Sequence, residues 1–379
     1  MMKISDCVSV KGSTKKIDGD SFWLLNLDMV EQQTGRVIEY NYVTEDKLNG
    51  SIIQFDTNNV LYSKLRPNLN KVVVPAIDGY ATSEMLPLKP DESIIKREYL
   101  AEFLRSDCFL TWAVSKTAGA KMPRLGTREL LNKEIEVPTL EKQEYIVKLF
   151  KQIAEMIAVK KQDINLLDEL VKSRFIEMFG DPRINPKGYD IKPISELFDV
   201  GSSKRVFESE WRDEGVPFYR AREIVKLSKE GYVNNELFID EEMYDEYKKK
   251  YGVPKVGDMM VTGVGTLGVC YIVKEDDRFY FKDGNTLWFK NKGLCDVRFI
   301  KDQYDTDFVK EQISANANVS TVGTYTITNA KNTLVLIPPL NEQQAYVEFC
   351  KQTDKLKFDG IKIINLCEIL KIKSWRRES

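Results

Sequence analysis

The stretch 138–182, PTLEKQEYIVKLFKQIAEMIAVKKQDINLLDELVKSRFIEMFGDP, decides how the fold is read. Pro138 suits a helix start and Thr139 offers a capping hydroxyl. Gly180-Asp181-Pro182 ends the helix, because glycine suits the C-terminal cap and proline cannot continue the hydrogen-bond ladder. Neither proline nor glycine interrupts the residues between. Roughly 40 helical residues at about 1.5 Å each give a rod of about 60 Å. Apolar residues recur at steps of three and four: Ile146, Leu149, Ile153, Met156, then Ile164, Leu167 and either Leu170 or Val171. A rod with one apolar seam calls for a partner helix.

The same chain supplies that partner. Residues 339–379 repeat the rod roughly 200 positions later without a gap. Leu140, Gln143, Val147, Lys151, Gln152, Ile164, Asn165, Leu166 and Leu170 recur as Leu340, Gln343, Val347, Lys351, Gln352, Ile364, Asn365, Leu366 and Leu370. A seam alone accounts for the apolar matches. It does not dictate the polar pairs Gln143/Gln343 and Asn165/Asn365, which point to a duplication.

The ordered set of motifs resembles a known family. Two helix starts, VPTLEKQEYIV at 137–147 and IPPLNEQQAYV at 337–347, are similar to the conserved regions of type I restriction-modification specificity subunits. FGDPRINPKGY at 179–189 looks like that family's passage into its second target-recognition domain. The resemblance covers the whole chain. It implies an α+β fold with two mixed α/β target-recognition domains, separated by two long antiparallel coiled-coil helices in a pseudo-twofold internal repeat. The expected boundaries are 1–137 and 183–337 for the domains, and 138–182 and 338–379 for the helices.

Composition agrees with a soluble globular protein: 379 residues, 42% hydrophobic and 30% charged. No apolar run is long enough to span a bilayer. The first residues, MMKISDCVSVKGS, lack a signal-peptide core. Six cysteines without CxxC spacing read as reduced, buried residues of a cytoplasmic protein. The chain has no histidine. That removes Ser-His-Asp chemistry, histidine acid-base catalysis and histidine metal ligation together, so no metal or catalytic residue is expected.

The net charge of −2 is unusual for a protein that grips DNA alone. The cations, however, are clustered. Lys11, Lys15 and Lys16 form one group; Lys64, Arg66 and Lys71 a second; Lys116, Lys121, Arg124 and Arg128 a third. Segregated charge permits a basic face on an acidic chain.

Within 1–137, short apolar runs at 22–27, 60–65 and 72–74 read as strands, and 94–114 as helical, with Leu100, Phe103, Leu104 and Val114 on one face. The segment 183–337 repeats this loosely. Ile4-Ser5-Asp6 aligns with Ile194-Ser195-Glu196, residues 22–30 with 217–225, 60–72 with 259–270, and Gly126-Thr127 with Gly323-Thr324. The glycines of GVGTLG at 263–268 match GxGxxG, yet the stretch runs into β-branched and aromatic residues where a dinucleotide fingerprint opens a helix. Two strands joined by a tight turn are expected there. Walker A and NPPY or DPPY sequences are absent.

Base reading needs arginine or lysine for guanine and amides for adenine; phosphate positioning needs cations and hydroxyls. The loops offering such groups are 63–68 with Lys64 and Arg66, 120–124 with Lys121 and Arg124, and 201–205 with Ser203, Lys204 and Arg205. Tyr219-Arg220-Ala221-Arg222 places Arg220 and Arg222 on one side of a strand or extended turn, and 320–325 brings Thr324 and Tyr325. Each residue singly also fits a solvated surface. Trp23, Phe218 and Tyr219 fit a core better than a base-stacking platform.

The resemblance implies a non-catalytic subunit that reads a bipartite double-stranded DNA target. It further implies two methyltransferase subunits as partners, which bind S-adenosylmethionine and methylate adenine, and restriction subunits that use ATP and Mg. Two other readings fit the residues. One is the specificity subunit of a type II enzyme that cuts on both sides of its site; the other is a coiled-coil scaffold that binds proteins and not DNA.

Overall fold

The computed structural model describes residues 1–48, 50–118, 121–317 and 323–376. The chain divides into two compact units, Met1–Asp163 with Asp359–Ser379, and Ile164–Phe358.

In the first unit a four-stranded antiparallel sheet has the order Val8–Val10, Met85–Pro90, Val60–Ser63, Val72–Val73. Strand alternation divides this sheet between two cores, since successive side chains face opposite ways. Val8, Val60, Tyr62, Val72, Leu86 and Leu88 face the helices Arg97–Arg105 and Asp107–Ser115 and the long helix, meeting Leu100, Leu104, Phe109, Ile146, Phe150 and Ile153. Leu61, Val73 and Met85 face the other way, onto Trp23, Leu25, Phe55 and Ala81. Those residues belong to a second sheet, ordered Tyr42–Val43, Phe22–Leu25, Gly79–Thr82, Ile52–Phe55, with one parallel pair. A ribbon of Met2–Lys3 with Glu134–Ile135 closes the domain where the chain leaves for the long helix.

The second unit is built on the same plan. Its antiparallel sheet runs Phe198–Gly201, Thr286–Asn291, Met259–Thr262, Cys270–Ile272. Met259, Val261, Leu287 and Phe289 face the long helices, while Met260, Tyr271 and Trp288 face a second core with Ile224 and Phe281. A smaller sheet pairs Val216–Tyr219 antiparallel with Phe238–Ile239 and parallel with Tyr280–Phe281. The ribbon is Asp190–Pro193 with Leu334–Ile337. Helices Ala221–Glu230 and Glu241–Tyr251 are additions of this unit.

The long helices are Leu140–Phe179 and Leu340–Arg376, and each unit takes the start of one and the end of the other. The segments run antiparallel in both. In the first unit, Lys371 Nζ lies 5.2 Å above the Phe150 ring and Cys367 Sγ lies 3.6 Å from Met156 Sδ. In the second, Lys357 bonds Asp168 at 2.5 Å, the Arg174 guanidinium lies 5.6 Å above Phe349, and Phe175 meets Tyr346 edge-on at 5.6 Å. The fold class is α+β with an internal repeat.

The polar match at Gln143 and Gln343 has a physical cause. Both amides are fully buried at the start of a long helix. Gln143 Oε1 accepts from Lys96 N–H at 2.8 Å, and its Nε2 donates to Ile94 O and Pro138 O at 2.9 and 2.8 Å. Gln343 accepts from Asp296 N–H at 2.9 Å and donates to Pro338 O at 2.8 Å. Each glutamine pins the helix start to the loop before a domain helix, where backbone groups would otherwise be buried unpaired. Asn165 and Asn365 are exposed, and nothing in the structure explains their repetition.

Several expectations need correction. The 94–114 region is two helices, broken at Ser106, whose hydroxyl caps the second by accepting from Phe109 N–H at 3.2 Å. Val114 is exposed there. The seam of the first helix uses Val171, while Met156 and Leu170 are exposed. Cys108 is exposed; the other five cysteines are buried. Gly126 is not the partner of Gly323. Gly126 precedes helix Thr127–Asn132 and Thr326 precedes helix Ile327–Asn332, so the structural partner of Gly126 is Thr326. The GVGTLG stretch is, as read, a turn between antiparallel strands. Among the described residues no helix is long and apolar enough to cross a membrane.

Candidate nucleic-acid interface

In the first unit the fold brings two of the predicted loops together. The chain leaves strand Val60–Ser63 into Lys64-Leu65-Arg66, and residues 121–124 return alongside it. Arg66 N–H donates to Pro123 O at 2.7 Å, and Leu125 N–H donates to Lys64 O at 2.9 Å. Leu125 is the plug that fixes this approach: it is 1% exposed, directly before the Gly126 cap. Lys64, Arg66, Lys121 and Arg124 therefore share one surface. Arg124 is held by Glu84 at 3.1 Å. Among the described residues, no protein group pairs with the charged ends of Lys64, Arg66 or Lys121. Ala120 lies outside the described residues. Lys71 is withdrawn from the surface, since its ammonium donates to Leu27 O at 2.5 Å and burial pulls its pKa below the ordinary lysine value.

The second unit repeats the approach with different chemistry. Tyr325 N–H donates to Gly263 O at 2.8 Å, the counterpart of the Leu125–Lys64 bond. The positions of Lys64, Arg66 and Arg124 are taken by Gly263, Gly265 and Thr324. Thr324 is half-buried. Tyr325 is not a surface residue: it is 1% exposed, and its hydroxyl lies 2.6 Å from Thr333 Oγ1 and 3.2 Å from Tyr304 Oη. It is the counterpart of the Leu125 plug, and a tyrosine serves there because its hydroxyl finds buried partners. Ser320, Thr321 and Val322 lie outside the described residues.

The loop 201–205 packs on strand Tyr280–Phe281. Ser203 Oγ donates to Phe281 O at 2.6 Å, so this hydroxyl is engaged inside the unit. Lys204 N–H donates to Tyr280 Oη at 2.9 Å, and Arg205 Nε meets Asp283 at 2.9 Å. Strand Val216–Tyr219 adjoins the same edge, Lys282 N–H donating to Tyr219 O at 2.8 Å.

Arg220 and Arg222 do not share one side of a strand or extended turn. They flank the start of helix Ala221–Glu230, and carboxylates hold both. Arg220 bonds Glu223 at 2.9 Å, and Arg222 bonds Glu223 at 2.5 Å and also pairs with Glu236. Burial pushes the Glu223 carboxyl up, but the two guanidiniums outweigh it and leave it below the ordinary range. These arginines stabilise the helix start and present little net charge. Trp23 and Phe218 are core residues, as expected, and Tyr219 stacks on Phe279 at 4.7 Å.

One further loop belongs with these. Residues 11–16 follow strand Val8–Val10 as 201–205 follow Phe198–Gly201, each pairing with the same strand of its sheet. Ser13 N–H donates to Gln54 O at 2.9 Å, and Lys15 Nζ lies 3.8 Å from Asp78. The signal was present, because Lys11, Lys15 and Lys16 already formed a cluster. Lacking was the register that equates it with Lys204-Arg205.

Comparison with known proteins gives a consistent answer. The model of the "Type I restriction modification DNA specificity domain" matches twice, over residues 31–169 and 186–366. A Haemophilus influenzae chain provisionally named a type I restriction enzyme specificity subunit is 27% identical over 246 residues, covering 63% of this chain and 60% of that one. The Escherichia coli type I restriction enzyme EcoDI specificity subunit is 28% identical over 139 residues, 36% of this chain and 31% of its own. The matches thus span less than two thirds of the length of these two relatives. A chain from a structural study of complex assembly and conformational transition of the type I R-M system superposes with a TM-score of 0.63 at 13% identity, covering 100% of this chain and 96% of that chain. With two matches, one in each repeat, the chain belongs to the type I restriction modification DNA specificity domain family.

Proposed function

We propose that this chain is the DNA-reading specificity subunit of a type I restriction-modification assembly, and that each unit reads one half of a split double-stranded target. The observation that carries this is the shared frame with unlike loops. The sheets, ribbons, buried glutamines and plug residues correspond in the two units, while Lys64-Leu65-Arg66 stands against Gly263-Val264-Gly265. A repeated scaffold with diverged surface loops suits two readers of different base sequences.

In this reading the chain contributes recognition and no bond-making. Lys64, Arg66, Lys121, Lys204 and Arg205, with Arg124 once released from Glu84, contact phosphates and bases; Lys15 and Lys16 join them. The chain itself holds no cofactor. S-adenosylmethionine belongs to two partner methyltransferase subunits, and ATP and Mg to restriction subunits of the same assembly, which acts in the cytoplasm. The long helices carry the partner contacts. A net charge of −2 fits a subunit whose partners share the grip on DNA.

The test is binding of duplex DNA as a function of salt, with and without the methyltransferase, alongside methyl transfer. The expected result is specific, salt-dependent binding in the complex and no methyl transfer by the purified chain alone. A complex with no preference for any DNA sequence would instead make the chain a protein scaffold.

A further inference from the structure

Arg66 stands in a left-handed backbone conformation, φ 49° and ψ 63°. That region disfavours any residue with a Cβ; glycine enters it freely, and asparagine and aspartate tolerate it. Among the described residues only Gln33, Asn70 and Asn185 share a positive φ without being glycine. The turn needs the conformation, since Arg66 N–H reaches Pro123 O at 2.7 Å while Leu69 N–H returns to Arg66 O at 2.9 Å.

The repeat shows which residue the backbone alone prefers. The paired bonds Leu125–Lys64 and Tyr325–Gly263 set Arg66 against Gly265, whose φ is +72°. A Cβ at Gly265 would meet no atom within 4 Å, so packing does not demand glycine there; the backbone does. The first unit keeps an arginine where its twin has the unstrained residue. A residue held in a disfavoured conformation at a surface turn is a sign of function.

The guanidinium itself is available. Arg66 is exposed, and among the described residues no carboxylate or carbonyl pairs with its side chain. Arg124, Arg205, Arg220 and Arg222 are all held by carboxylates. Pro67, buried directly after it, stiffens the turn. Lys64 and Lys121 beside it supply charge for phosphates. An exposed guanidinium without a protein partner, on a stiffened turn near such cations, has the chemistry for a guanine, whose O6 and N7 accept its two parallel N–H groups in the major groove.

We propose that Arg66 is a specificity-determining residue that reads a guanine in the half-site taken by the first unit. This rests on the function proposed above. The test uses the full chain with its methyltransferase, mapping methylated sites for the wild type, Arg66→Gly and Arg66→Asn, with thermal unfolding of each. Both variants accept the left-handed turn, so their unfolding temperatures should be unchanged or higher. Arg66→Gly should lose discrimination at one guanine position, by about ten-fold or more, with the other half-site intact. Arg66→Asn should turn that position toward adenine, which an amide can read. If the variants fold and keep the wild-type motif in both halves, Arg66 is a hydrated surface residue and the inference is wrong. If the wild-type complex shows no sequence preference, the functional reading falls and takes this inference with it.

Discussion

After strand Val60–Ser63 the first unit turns through Lys64-Leu65-Arg66, and after strand Met259–Thr262 the second turns through Gly263-Val264-Gly265. The backbones do the same thing: each turn offers a carbonyl to a buried plug residue, Leu125 in one and Tyr325 in the other. Only the side chains differ. The plug must fill a cavity and the turn must meet it, so both are constrained. The outward side chains are constrained by whatever the turn faces. Two units that agree on the first and differ on the second have kept a frame and changed a surface.

The helix contacts show the same division. Glu102 and Asp302 occupy corresponding places on helices Arg97–Arg105 and Val297–Gln303. Glu102 meets Lys371 of the second long helix at 2.8 Å and Arg105 at 3.0 Å. Asp302 meets Arg298 on its own helix at 2.9 Å, and Arg298 reaches Asp354 of the second long helix at 2.6 Å. Each unit ties its domain helix to the long helix through charge, by a different pairing.

The largest effects should come from the shared glutamines. Gln143→Leu leaves three backbone groups without their side-chain partner, and Gln343→Leu leaves two. At about 1–3 kcal/mol per orphaned group, losses of at least about 3 and 2 kcal/mol respectively are expected. Hydrogen exchange reads them locally: the Lys96 amide should lose protection in the first variant and the Asp296 amide in the second. Equal protection in variant and wild type would remove the glutamines from the frame.

A smaller effect separates the ionic contacts. Burial pushes the Glu102 carboxyl up, but Lys371 and Arg105 outweigh it and hold its pKa below the ordinary 4.5. Its contribution is therefore present above about pH 4.5 and fades as pH falls through the lower folded value. Glu102→Gln should cost about 1–3 kcal/mol at pH 7, with the gap to wild type closing in acid. Chemical denaturation from pH 7 down to pH 3 measures it. A gap independent of pH would mean the contact acts through packing and not through charge.

The smallest effect concerns the surface cations. Lys64→Ala and Lys204→Ala should each lower the slope of log binding constant against log salt by about one unit. Arg222→Ala should change it much less, because Glu223 and Glu236 already hold that guanidinium. Equal slopes for all three would show that the ion pairs open on DNA.

Much of the frame was legible in the sequence because long helices announce themselves by period and caps, and because the polar repeats were not dictated by a seam. Gln143 and Gln343 marked a shared anchor before its partners were visible. The loops were harder. Gly126-Thr127 and Gly323-Thr324 match as dipeptides, whereas the structure equates Gly126 with Thr326, both of which precede a helix. Tyr325 looked like a polar loop residue, and only the fold places its ring in a core. Arg220 and Arg222 read as a free pair because Glu223 turns toward both only once the helix Ala221–Glu230 forms, and Glu236 arrives from 14 residues beyond Arg222. Ion pairs formed across a fold leave no local pattern.

The central claim is that the two units read separate halves of one DNA target. Its most direct test is an exchange of the first domain. Residues 1–137 are replaced by the first domain of another family member, and the methylated sites are mapped in cells expressing the chain with its partner subunits. The account predicts that one half of the target changes and the other stays as it was. Simultaneous change in both halves, with the chimera folded and active, would contradict it.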